Sequence, residues 1–514
     1  MTSKLPIGIQ SFRKLREGGH AYVDKTPLIV RLVDEGVYYF LSRPRRFGKS
    51  LLVDTLACAF AGEQELFKGL YLEHHWDWRK NYPVVRFDFG EGVLDSRDRL
   101  DGKIRFQLDT NAAGYGLTLN ETDLSNRFHE LIDALARQAG QPVALLIDEY
   151  DKPILDNLEA PERATVMREG LKNLYSVIKG LDAHLRFVLL TGVTKFSKVS
   201  LFSGLNNLED ITLDPRAATL CGYTQTELET TFADYLGDLD PDAVRAWYNG
   251  YNFLGQPVYN PFDVLLFLRQ RELRPYWFET GTPRFLIDLL LLRRLAIPDL
   301  DLFSADYDLL GSFDVDQIEP EALLFQTGYA TIREQIRRPT GLTTYRLGFP
   351  NREVRASLPL AILRRYLPDS QERQRTEDRI FTALERDDPD ALHQALHAFF
   401  ATIPHDWYRK NQFAEYEAYY ASIVYCYFAA LGVDVRPEEP SSRGQADLVI
   451  RYRELTWLLE FKLHESGPAK AIEQIKAKGY HHRFAGRPVT LIGIDFDREQ
   501  RNISGFDWER IGIG

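Results

Sequence analysis

The feature that most constrains this chain is a short basic loop between an apolar run and a helix-forming run. Residues 37–41 are typical of a buried strand, and residues 51–56 of a helix. The connecting sequence is Arg43-Pro44-Arg45-Arg46-Phe47-Gly48-Lys49-Ser50. A strand, a tight loop and Gly-Lys-Ser opening a helix predict a phosphate-binding site, because helix N-termini attract anions through their free N–H groups and dipole.

The loop matches the phosphate-loop pattern G-x-x-x-x-G-K-[ST] only in its second half. The pattern places glycine where this chain has Arg43, and Pro44 has no N–H to donate. The matching half predicts that Lys49 binds the terminal phosphates and that Ser50 ligates Mg²⁺. We hypothesise that arginine side chains of the loop replace the missing backbone donors. Alternatively, they contact a C-terminal domain or nucleic acid.

A second apolar run, residues 143–147, ends in Asp148-Glu149. A buried parallel strand delivers carboxylates at its C-terminal end, so Asp148 is a candidate Mg²⁺ ligand. Glu149 is a candidate general base that polarises the attacking water in ATP hydrolysis. A core strand followed by a charged turn would give the same letters, but the upstream Gly-Lys-Ser favours the functional interpretation.

Two further strands are predicted at residues 83–89 and 185–192. The second ends in Thr191, Thr194 and Lys195, any of which is a candidate sensor of the γ-phosphate. The alternative is a strand that simply becomes polar at the surface, and the sequence does not choose between the three residues.

A second set of polar residues lies near the C-terminus. Asp447 falls in a predicted strand over 444–450, and Glu460 and Lys462 share one face of the next strand. Asp447 and Glu460 on adjacent strands suit Mg²⁺ or Mn²⁺, which lowers the pKa of a bound water. Lys462 would hold that water or a phosphate oxygen. The competing interpretation is a β-hairpin with a surface ion pair.

Two predicted helices flank these strands. The helix over 413–425 carries Glu417, with Glu415 as a rival, and the helix over 470–480 carries Gln474. Its lysines, Lys476 and Lys478, are candidate contacts to a nucleic-acid backbone. From residue 441 to the end there are 12 Lys and Arg against 10 Asp and Glu, although the whole chain carries a net charge of −11. The acidic balance excludes a basic coat over the whole protein but not a local basic groove.

At 514 residues the chain is too long for one core. We expect an ATPase domain at 1–215, a mostly helical connector at 216–375 and a nuclease-like domain with a leading helix at 376–514. The aromatic turns at 247–253 and 258–263 are either base-stacking platforms or core residues.

Three shorter features predict local structure and cellular location. Thr26 is a predicted N-cap of a helix running to Glu35, and Thr224 with Glu227 has capping-box spacing. Three scattered cysteines argue against a disulfide framework. Together with the lack of a signal or membrane-spanning segment, they predict a soluble cytoplasmic protein with no membrane partner.

With both sets of residues in view, nearly the whole chain resembles a bacterial family that joins an AAA-ATPase-like domain to a C-terminal PD-(D/E)XK nuclease-superfamily domain. The resemblance rests on these segments: 22–26, 43–50, 146–151, 190–196, 247–251, 259–262, 444–449 and 459–462. It implies an α/β fold: a P-loop AAA-like domain with a parallel sheet, a helical middle region and a C-terminal restriction-endonuclease-like domain. The variant loop looks like the family's own form, whereas Gln445 stands where a basic residue is often found.

The resemblance also implies the site residues, with ATP and Mg²⁺ as cofactors and Mn²⁺ as an alternative at the nuclease-like site. The predicted nucleotide-binding residues are Arg43, Arg45, Arg46, Phe47, Gly48, Lys49, Ser50, Leu51 and Asp148. The predicted catalytic residues are Glu149, Glu417, Asp447, Glu460, Lys462 and Gln474. The predicted metal ligands are Ser50, Asp148, Asp447 and Glu460.

Three functional hypotheses follow. The first is an ATP-gated, metal-dependent nuclease acting on DNA. The second is an ATP-dependent switch whose C-terminal domain binds nucleic acid or a partner without cleaving. The third is an ATPase with no nucleic-acid role. AAA-like ATPases usually complete their site with an arginine from a neighbouring subunit, so the resemblance also implies a homo-oligomer, although no residue identifies that arginine.

Overall fold

The computed structural model divides the chain into two compact units. Unit 1 comprises Met1–Gly281 and Ser304–Asn351, and unit 2 comprises Thr282–Phe303 and Arg352–Gly514. The residues that the structure describes are 3–195, 201, 205, 207–277, 286–287, 289–290, 297–311, 318–339, 341–366, 369–402, 417–437, 448–463, 467–478, 488–497 and 499–511. Both units contribute to residues 216–375, and the predicted division into three parts stays a prediction.

Unit 1 is built on a parallel five-stranded sheet, as predicted, with strand order β2-β3-β4-β1-β5. The strands are β1 (Tyr38–Ser42), β2 (Val84–Asp88), β3 (Val143–Asp148), β4 (Leu185–Gly192) and β5 (Glu209–Asp210). Every residue of β1 and β3 is buried, as expected for strands whose two faces are both covered. Their C-terminal ends lie at one edge of the sheet, where Asp88 pairs with Asp148 in register.

Helices surround this sheet, and α3 follows the basic loop directly. They are α1 (Phe12–Glu17), α2 (Thr26–Glu35), α3 (Lys49–Phe60), α4 (Arg97–Gly114), α5 (Leu124–Ala139), α6 (Lys152–Leu155) and α7 (Pro161–Ser176). Three of these helices pack on the sheet: α3 and α5 contact β3, and α4 contacts β2. Short 3₁₀ helices lie at Gln64–Phe67, Tyr71–His74 and Ile178–His184.

The predicted end of α2 at Glu35 is confirmed, but the predicted N-cap is wrong. Lys25 occupies the N-cap position, and Thr26 is the first helical residue. The Thr26 hydroxyl donates to Asp24 Oδ1 at 2.6 Å, and its oxygen accepts from the Leu72 N–H at 3.1 Å instead of from an N–H of the helix. The capping box of Thr224 and Glu227 is present as predicted.

The middle of the chain is mainly helical, as predicted. Its helices in unit 1 are α8 (Gln225–Thr231), α9 (Ala233–Leu236), α10 (Pro241–Tyr248), α11 (Pro261–Gln270), α12 (Tyr307–Gly311) and α13 (Pro320–Thr327). A small sheet, ordered β6-β8-β7, is formed by β6 (Phe303–Asp306), β7 (Thr331–Arg337) and β8 (Thr343–Gly348). The aromatic residues Tyr248, Tyr251, Phe253 and Tyr259 are buried, which confirms that they belong to the core.

Unit 2 contains a mixed five-stranded sheet ordered β13-β12-β11-β10-β9. Its strands are β9 (Asp434–Arg436), β10 (Leu448–Tyr452), β11 (Leu455–Leu463), β12 (Val489–Asp497) and β13 (Asn502–Ile511). Its helices are α14 (Arg352–Tyr366), α15 (Ser370–Glu385), α16 (Pro389–Thr402), α17 (Glu417–Ala430) and α18 (Pro468–Lys478), with a 3₁₀ helix at Ile297–Asp301. Among the described strand pairs of this sheet, only β11 and β12 are parallel, and α18 lies between them in the chain.

The predicted amphipathic stretch from Glu377 to Ala401 is two helices, α15 and α16. The break falls at Asp387, which has a positive φ of 50°, and Pro389 then begins the second helix. Positive φ interrupts a right-handed helix, whereas proline is well tolerated at a helix start.

Two further expectations concern disulfide bonds and membrane-spanning helices. Cys58, Cys221 and Cys426 are buried free thiols, which agrees with the expected lack of a disulfide framework. Among the residues described, no helix is both long enough and apolar enough to cross a lipid bilayer.

Candidate functional sites

The basic loop turns sharply into α3 because two of its residues adopt positive φ. Arg46 has φ of 70°, and Gly48 has φ of 93° at the N-cap of α3. Glycine adopts this conformation without the steric strain that a side chain brings. The N-terminus of the twelve-residue helix α3 therefore begins at Lys49, directly beside a cavity lined by the loop.

Lys49 is buried in this turn. Its Nζ donates to the carbonyl oxygens of Arg43 at 2.8 Å and Pro44 at 3.0 Å. Burial lowers the pKa of Lys49, and the nearby carboxylates of Asp148, Glu149 and Asp151 oppose that shift. The loop thus holds a cation at the strand ends, opposite a group of acids.

Arg43, at the position where the pattern has glycine, supports the loop from behind. Its side chain is fully buried and donates to the carbonyls of Ser42, Thr212 and Ala217 at 2.8–3.1 Å. The guanidinium carbon also lies 3.9 Å from the centre of the Phe253 ring. Burial lowers the pKa of Arg43 to about 10. Arg43 does not line the cavity, so its predicted nucleotide contact has no side-chain geometry to support it.

The remaining loop residues divide into exposed and buried ones. Arg45 and Arg46 are exposed and line the cavity, and Arg46 lies over the Phe262 ring at 4.4 Å. Phe47 is buried and packs edge-to-face against Tyr251 and Phe253. The hypothesis that arginines replace backbone donors is therefore restricted to Arg45 and Arg46.

The predicted carboxylates lie at the end of β3, where Asp148 is buried and is not among the residues that line the cavity. Asp148 Oδ1 accepts hydrogen bonds from the Thr191 hydroxyl at 2.5 Å and from the Glu149 N–H at 3.0 Å. Glu149 has φ of 52°, an unfavourable conformation for a residue with a side chain, and it lines the cavity. Burial raises the pKa of Glu149, and Lys49 opposes this shift.

Two more acids belong to this site, and the sequence analysis gave neither a role. A Cβ on Gly90 would lie 2.9 Å from Asp88 Oδ1 and 3.1 Å from Glu149 Oε2, so these carboxylates face each other across a glycine. Burial raises the pKa of Asp88. Asp151 Oδ2 accepts from the Val193 N–H and from both the N–H and hydroxyl of Thr194. The sequence signal for Asp88 was an acid near the end of a predicted strand, 83–89, but only the structure places that strand beside the strand of Asp148.

The three sensor candidates occupy different positions. Thr191 contacts Asp148, and Thr194 contacts Asp151. Lys195 instead pairs with Asp210 at 2.5 Å, and its N–H donates to Gln326 Oε1 at 3.1 Å. Thr191 is therefore the candidate in contact with a predicted metal ligand, although its sensor role stays a prediction.

The cavity beside the loop has a volume of about 470 Å³ and two kinds of wall. The loop, Ser50 and Glu149 form a polar wall, and Pro6, Ile9 and Val23 are among the apolar residues of the other walls. Lys25 also lines it; its Nζ contacts both carboxylate oxygens of Glu227 at 2.6 and 2.7 Å. Burial lowers the pKa of Lys25. No local sequence pattern predicted the residues of these walls, because they come from segments that are distant in the chain.

The second site lies in unit 2 and is centred on Glu460, which is 1% exposed. Glu460 Oε1 accepts from Lys462 Nζ at 3.1 Å and from Gln474 Nε2 on α18. Gln474 reaches it because α18 begins close to β12: a Cβ on Gly493 would lie 2.2 Å from the Pro468 carbonyl oxygen. The structure thus brings together three predicted residues in one hydrogen-bonded group.

The other residues predicted for this site lie wholly or partly outside the described part of the chain. Asp447 and Glu415 lie outside the described residues, and Glu417 begins α17 without a described side chain. Asp495 was missed by the sequence analysis. It is buried and lies directly beside Lys462 in the parallel pair of β11 and β12. In the parts of the chain that the structure describes, no three His, Cys, Asp or Glu residues are grouped to hold a metal.

Comparisons with known proteins agree with the two predicted domain families. Residues 6–202 match a family described as "Predicted AAA-ATPase", and residues 415–506 match the PD-(D/E)XK nuclease superfamily. The chain is also similar to a protein of Azotobacter chroococcum mcd 1 described as "Uncharacterized protein in vnfD 5'region". The two are 51% identical over 513 residues, which is 99% of each chain.

Proposed function

The chain belongs to the family that joins a predicted AAA-ATPase domain to a C-terminal PD-(D/E)XK nuclease-superfamily domain, and we propose that ATP hydrolysis in unit 1 gates metal-dependent cleavage of DNA by unit 2. The observation that carries the proposal is the contact set around Glu460. A buried carboxylate held by a lysine and a glutamine at a strand end matches the residues that the family pattern assigns to phosphodiester cleavage.

Nucleotide binding is assigned to the cavity beside the basic loop. The α3 N-terminus, Lys49 and the exposed side chains of Arg45 and Arg46 supply N–H donors and positive charge for the phosphates. The apolar wall around Ile9 provides a surface for the base. Ser50 and Asp148 offer hard oxygen ligands and would hold Mg²⁺, which offsets negative charge on the phosphates.

Hydrolysis is assigned to Glu149 as general base. Its carboxylate accepts a proton from the water that attacks the γ-phosphorus, so it must be ionised to act. Asp88 and Asp148 lie side by side at the ends of β2 and β3, and the hydrogen bond from the Thr191 hydroxyl fixes one oxygen of Asp148. Glu149 follows Asp148 directly, so the same strand end positions the base beside the proposed phosphate site. Burial raises the pKa of Glu149 there.

DNA cleavage is assigned to the Glu460 group. Glu460 together with Asp447 would hold a divalent cation, which lowers the pKa of a bound water. Lys462 supplies a positive charge for the scissile phosphate or holds the attacking water. Gln474 donates to Glu460 Oε1 and so restricts the rotation of that carboxylate.

A cleavage assay on the full chain tests the proposal. Plasmid and linear DNA are incubated with Mg²⁺ or Mn²⁺, with and without ATP, and cleavage is expected only with metal and to depend on ATP. Glu460→Gln and Asp447→Ala should each lower the rate by at least about 100-fold. Glu473→Gln is the matched control, because Glu473 is an exposed residue of α18 next to Gln474.

The competing switch hypothesis predicts a different result. A chain that binds DNA in an ATP-dependent way but cuts neither substrate with either metal would contradict the proposed cleavage and support a non-cleaving switch. Failure of the protein to bind DNA at any salt concentration would leave only the ATPase.

A further inference from the structure

A β-hairpin in unit 1 carries a concentration of positive charge that neither proposed site uses. We call residues 331–339 and 341–348 the basic hairpin; it consists of β7, β8 and the described residues of the turn between them. The segment contains four arginines and one glutamate, giving a net charge of +3 in a chain whose net charge is −11. Such a local reversal of sign favours a polyanionic partner.

Two of the four arginines are engaged within the hairpin and at its base. Arg346 pairs with Glu334 at 3.1 Å, and Arg333 donates to the carbonyl of Phe349. The other two, Arg337 and Arg338, are exposed at the turn. Neither forms an ion pair with any residue that the structure describes, although Arg338 Nε donates to the Thr344 hydroxyl at 3.2 Å. Two guanidinium groups are therefore presented where β7 meets the turn.

The turn also exposes an apolar side chain. Leu342 is 68% exposed, well above most leucines of the chain, which are buried. The turn is held by backbone hydrogen bonds of 2.9 Å, from Arg338 N–H to Leu342 O and from Gly341 N–H to Arg338 O. Leu342 therefore presents an apolar side chain to solvent close to Arg337 and Arg338.

The base of the basic hairpin is firmly anchored in unit 1. Tyr345 and Leu347 of β8 are buried, and so are seven of the eight residues of the preceding helix α13. On α13, Phe325 packs against Phe253, and the following Gly328 lies against Pro44 of the basic loop. Because α13 is buried in this way, the exposed turn is the part of this segment that can reach a partner.

We propose that the turn of the basic hairpin binds duplex DNA, with Arg337 and Arg338 on backbone phosphates and Leu342 against base edges. A two-stranded β-ribbon fits the major groove of B-form DNA, and methyl groups there accept apolar contacts. The deep major groove of duplex RNA is too narrow for side chains to read. The assignment to DNA rests on the proposed function, in which DNA is the substrate of unit 2.

The test measures binding without cleavage, using the full chain in EDTA. The probe is a fluorescein-labelled DNA duplex of about 30 base pairs, close to three helical turns, and anisotropy gives Kd over a series of salt concentrations. For Arg337→Gln/Arg338→Gln we expect the slope of log Kd against log salt to fall by about 2, with binding roughly tenfold to a hundredfold weaker at 0.1 M salt.

Three further variants separate charge, shape and non-specific effects. Arg337→Lys/Arg338→Lys keeps both charges and should retain the wild-type slope. Leu342→Ser should weaken binding without changing the slope, because it removes an apolar contact and no charge. Arg163→Gln/Lys179→Gln removes two exposed charges elsewhere in unit 1 and should leave both quantities unchanged.

The outcomes distinguish this inference from the proposed nuclease. A wild-type slope for the Arg337→Gln/Arg338→Gln variant overturns the DNA contact, even if the chain cleaves DNA. Equal binding of a duplex RNA of the same sequence overturns the assignment to DNA. Loss of slope in that variant, with no cleavage under Mg²⁺ or Mn²⁺, supports the hairpin and overturns the nuclease activity.

Discussion

The two candidate sites bury opposite charges, and the groups around each charge differ. In unit 1 the buried cation Lys49 faces three carboxylates, Asp148, Glu149 and Asp151. In unit 2 the buried anion Glu460 is held by one cation and one amide. Lys49 alone does not balance the three carboxylates at the strand ends, and this favours a ligand that brings a metal cation with it. In unit 2, Lys462 contacts Glu460 and lies beside Asp495 in the strand pair, so two carboxylates accompany one cation in the described part of the site.

The sites also differ in how far along the chain their parts lie. The unit 1 site takes residues from the ends of three strands, at Asp88, Asp148 and Thr191, and from the loop after a fourth. The described unit 2 group comes from one strand and the helix after it. A site assembled from distant segments depends on the whole sheet, whereas a local group depends mainly on a strand and its neighbouring helix.

The largest expected effects concern the cation and the base of unit 1. Lys49→Ala should abolish ATP binding, because it removes the charge at the phosphate position. Glu149→Gln should keep binding and lower hydrolysis by roughly 100-fold to 10,000-fold, since it removes only proton transfer. Nucleotide titration and phosphate release measure the two effects, with Lys179→Ala, at an exposed lysine, as control. Normal turnover in Glu149→Gln would eliminate Glu149 as the base.

The next substitution adds a carboxylate to the unit 2 site, so that it resembles the group of acids in unit 1. Gln474→Glu would replace the amide donor by a second carboxylate against Glu460. The two carboxylates would share a proton, which raises the pKa of Glu460 and makes protonation compete with cation binding. Cleavage should fall about 100-fold and recover partly at higher pH, while ATP hydrolysis stays unchanged. Gln474→Leu, which adds no charge, should have a smaller effect without pH-dependent recovery. Equal losses in both variants at every pH would show that the effect is not electrostatic.

A smaller effect is expected from Asp88 on the pH profile of ATP hydrolysis. Because Glu149 must be ionised and burial raises its pKa, activity should decline as pH falls through a value above the 4.5 of an ordinary glutamate. The negative charge of Asp88 contributes to this rise. Asp88→Asn should therefore move the acid limb to lower pH, by less than about one unit. A profile that moves to higher pH would contradict the predicted electrostatic contact.

The smallest effects compare an enclosed ion pair of unit 1 with an exposed pair of unit 2. Lys25→Met leaves Glu227 without its partner and should lower the free energy of unfolding by roughly 1–3 kcal/mol. Lys476→Met breaks the exposed pair with Glu509 and should lower it by no more than about 0.5 kcal/mol. Urea unfolding measures both. Equal values would mean that burial does not strengthen the Lys25 pair.

Local sequence patterns predicted the elements that carry the main site residues. The apolar runs before Asp148 and Lys49 specify strands, and a strand followed by Gly-Lys-Ser specifies the helix N-terminus beside them. Glu460 and Lys462 share a face because side chains alternate along a strand, and their contact follows from that period. These inferences succeeded because the groups involved lie within a few residues of each other.

Long-range packing decided what those patterns could not. Arg43 looked like a phosphate ligand, but carbonyls about 170 residues away along the chain accept its hydrogen bonds. Asp88 joins the acids of unit 1 only because β2 pairs with β3 in that register.

The sequence by itself therefore determined which charged groups stand at the ends of which strands, since strand and helix periods are local properties. Tertiary structure alone decided which of these groups line the cavity and which support its wall. The reason is physical: the pKa of a charged group and its exposure to solvent both depend on the residues that pack around it. Those neighbours come from segments that only the folded chain brings together.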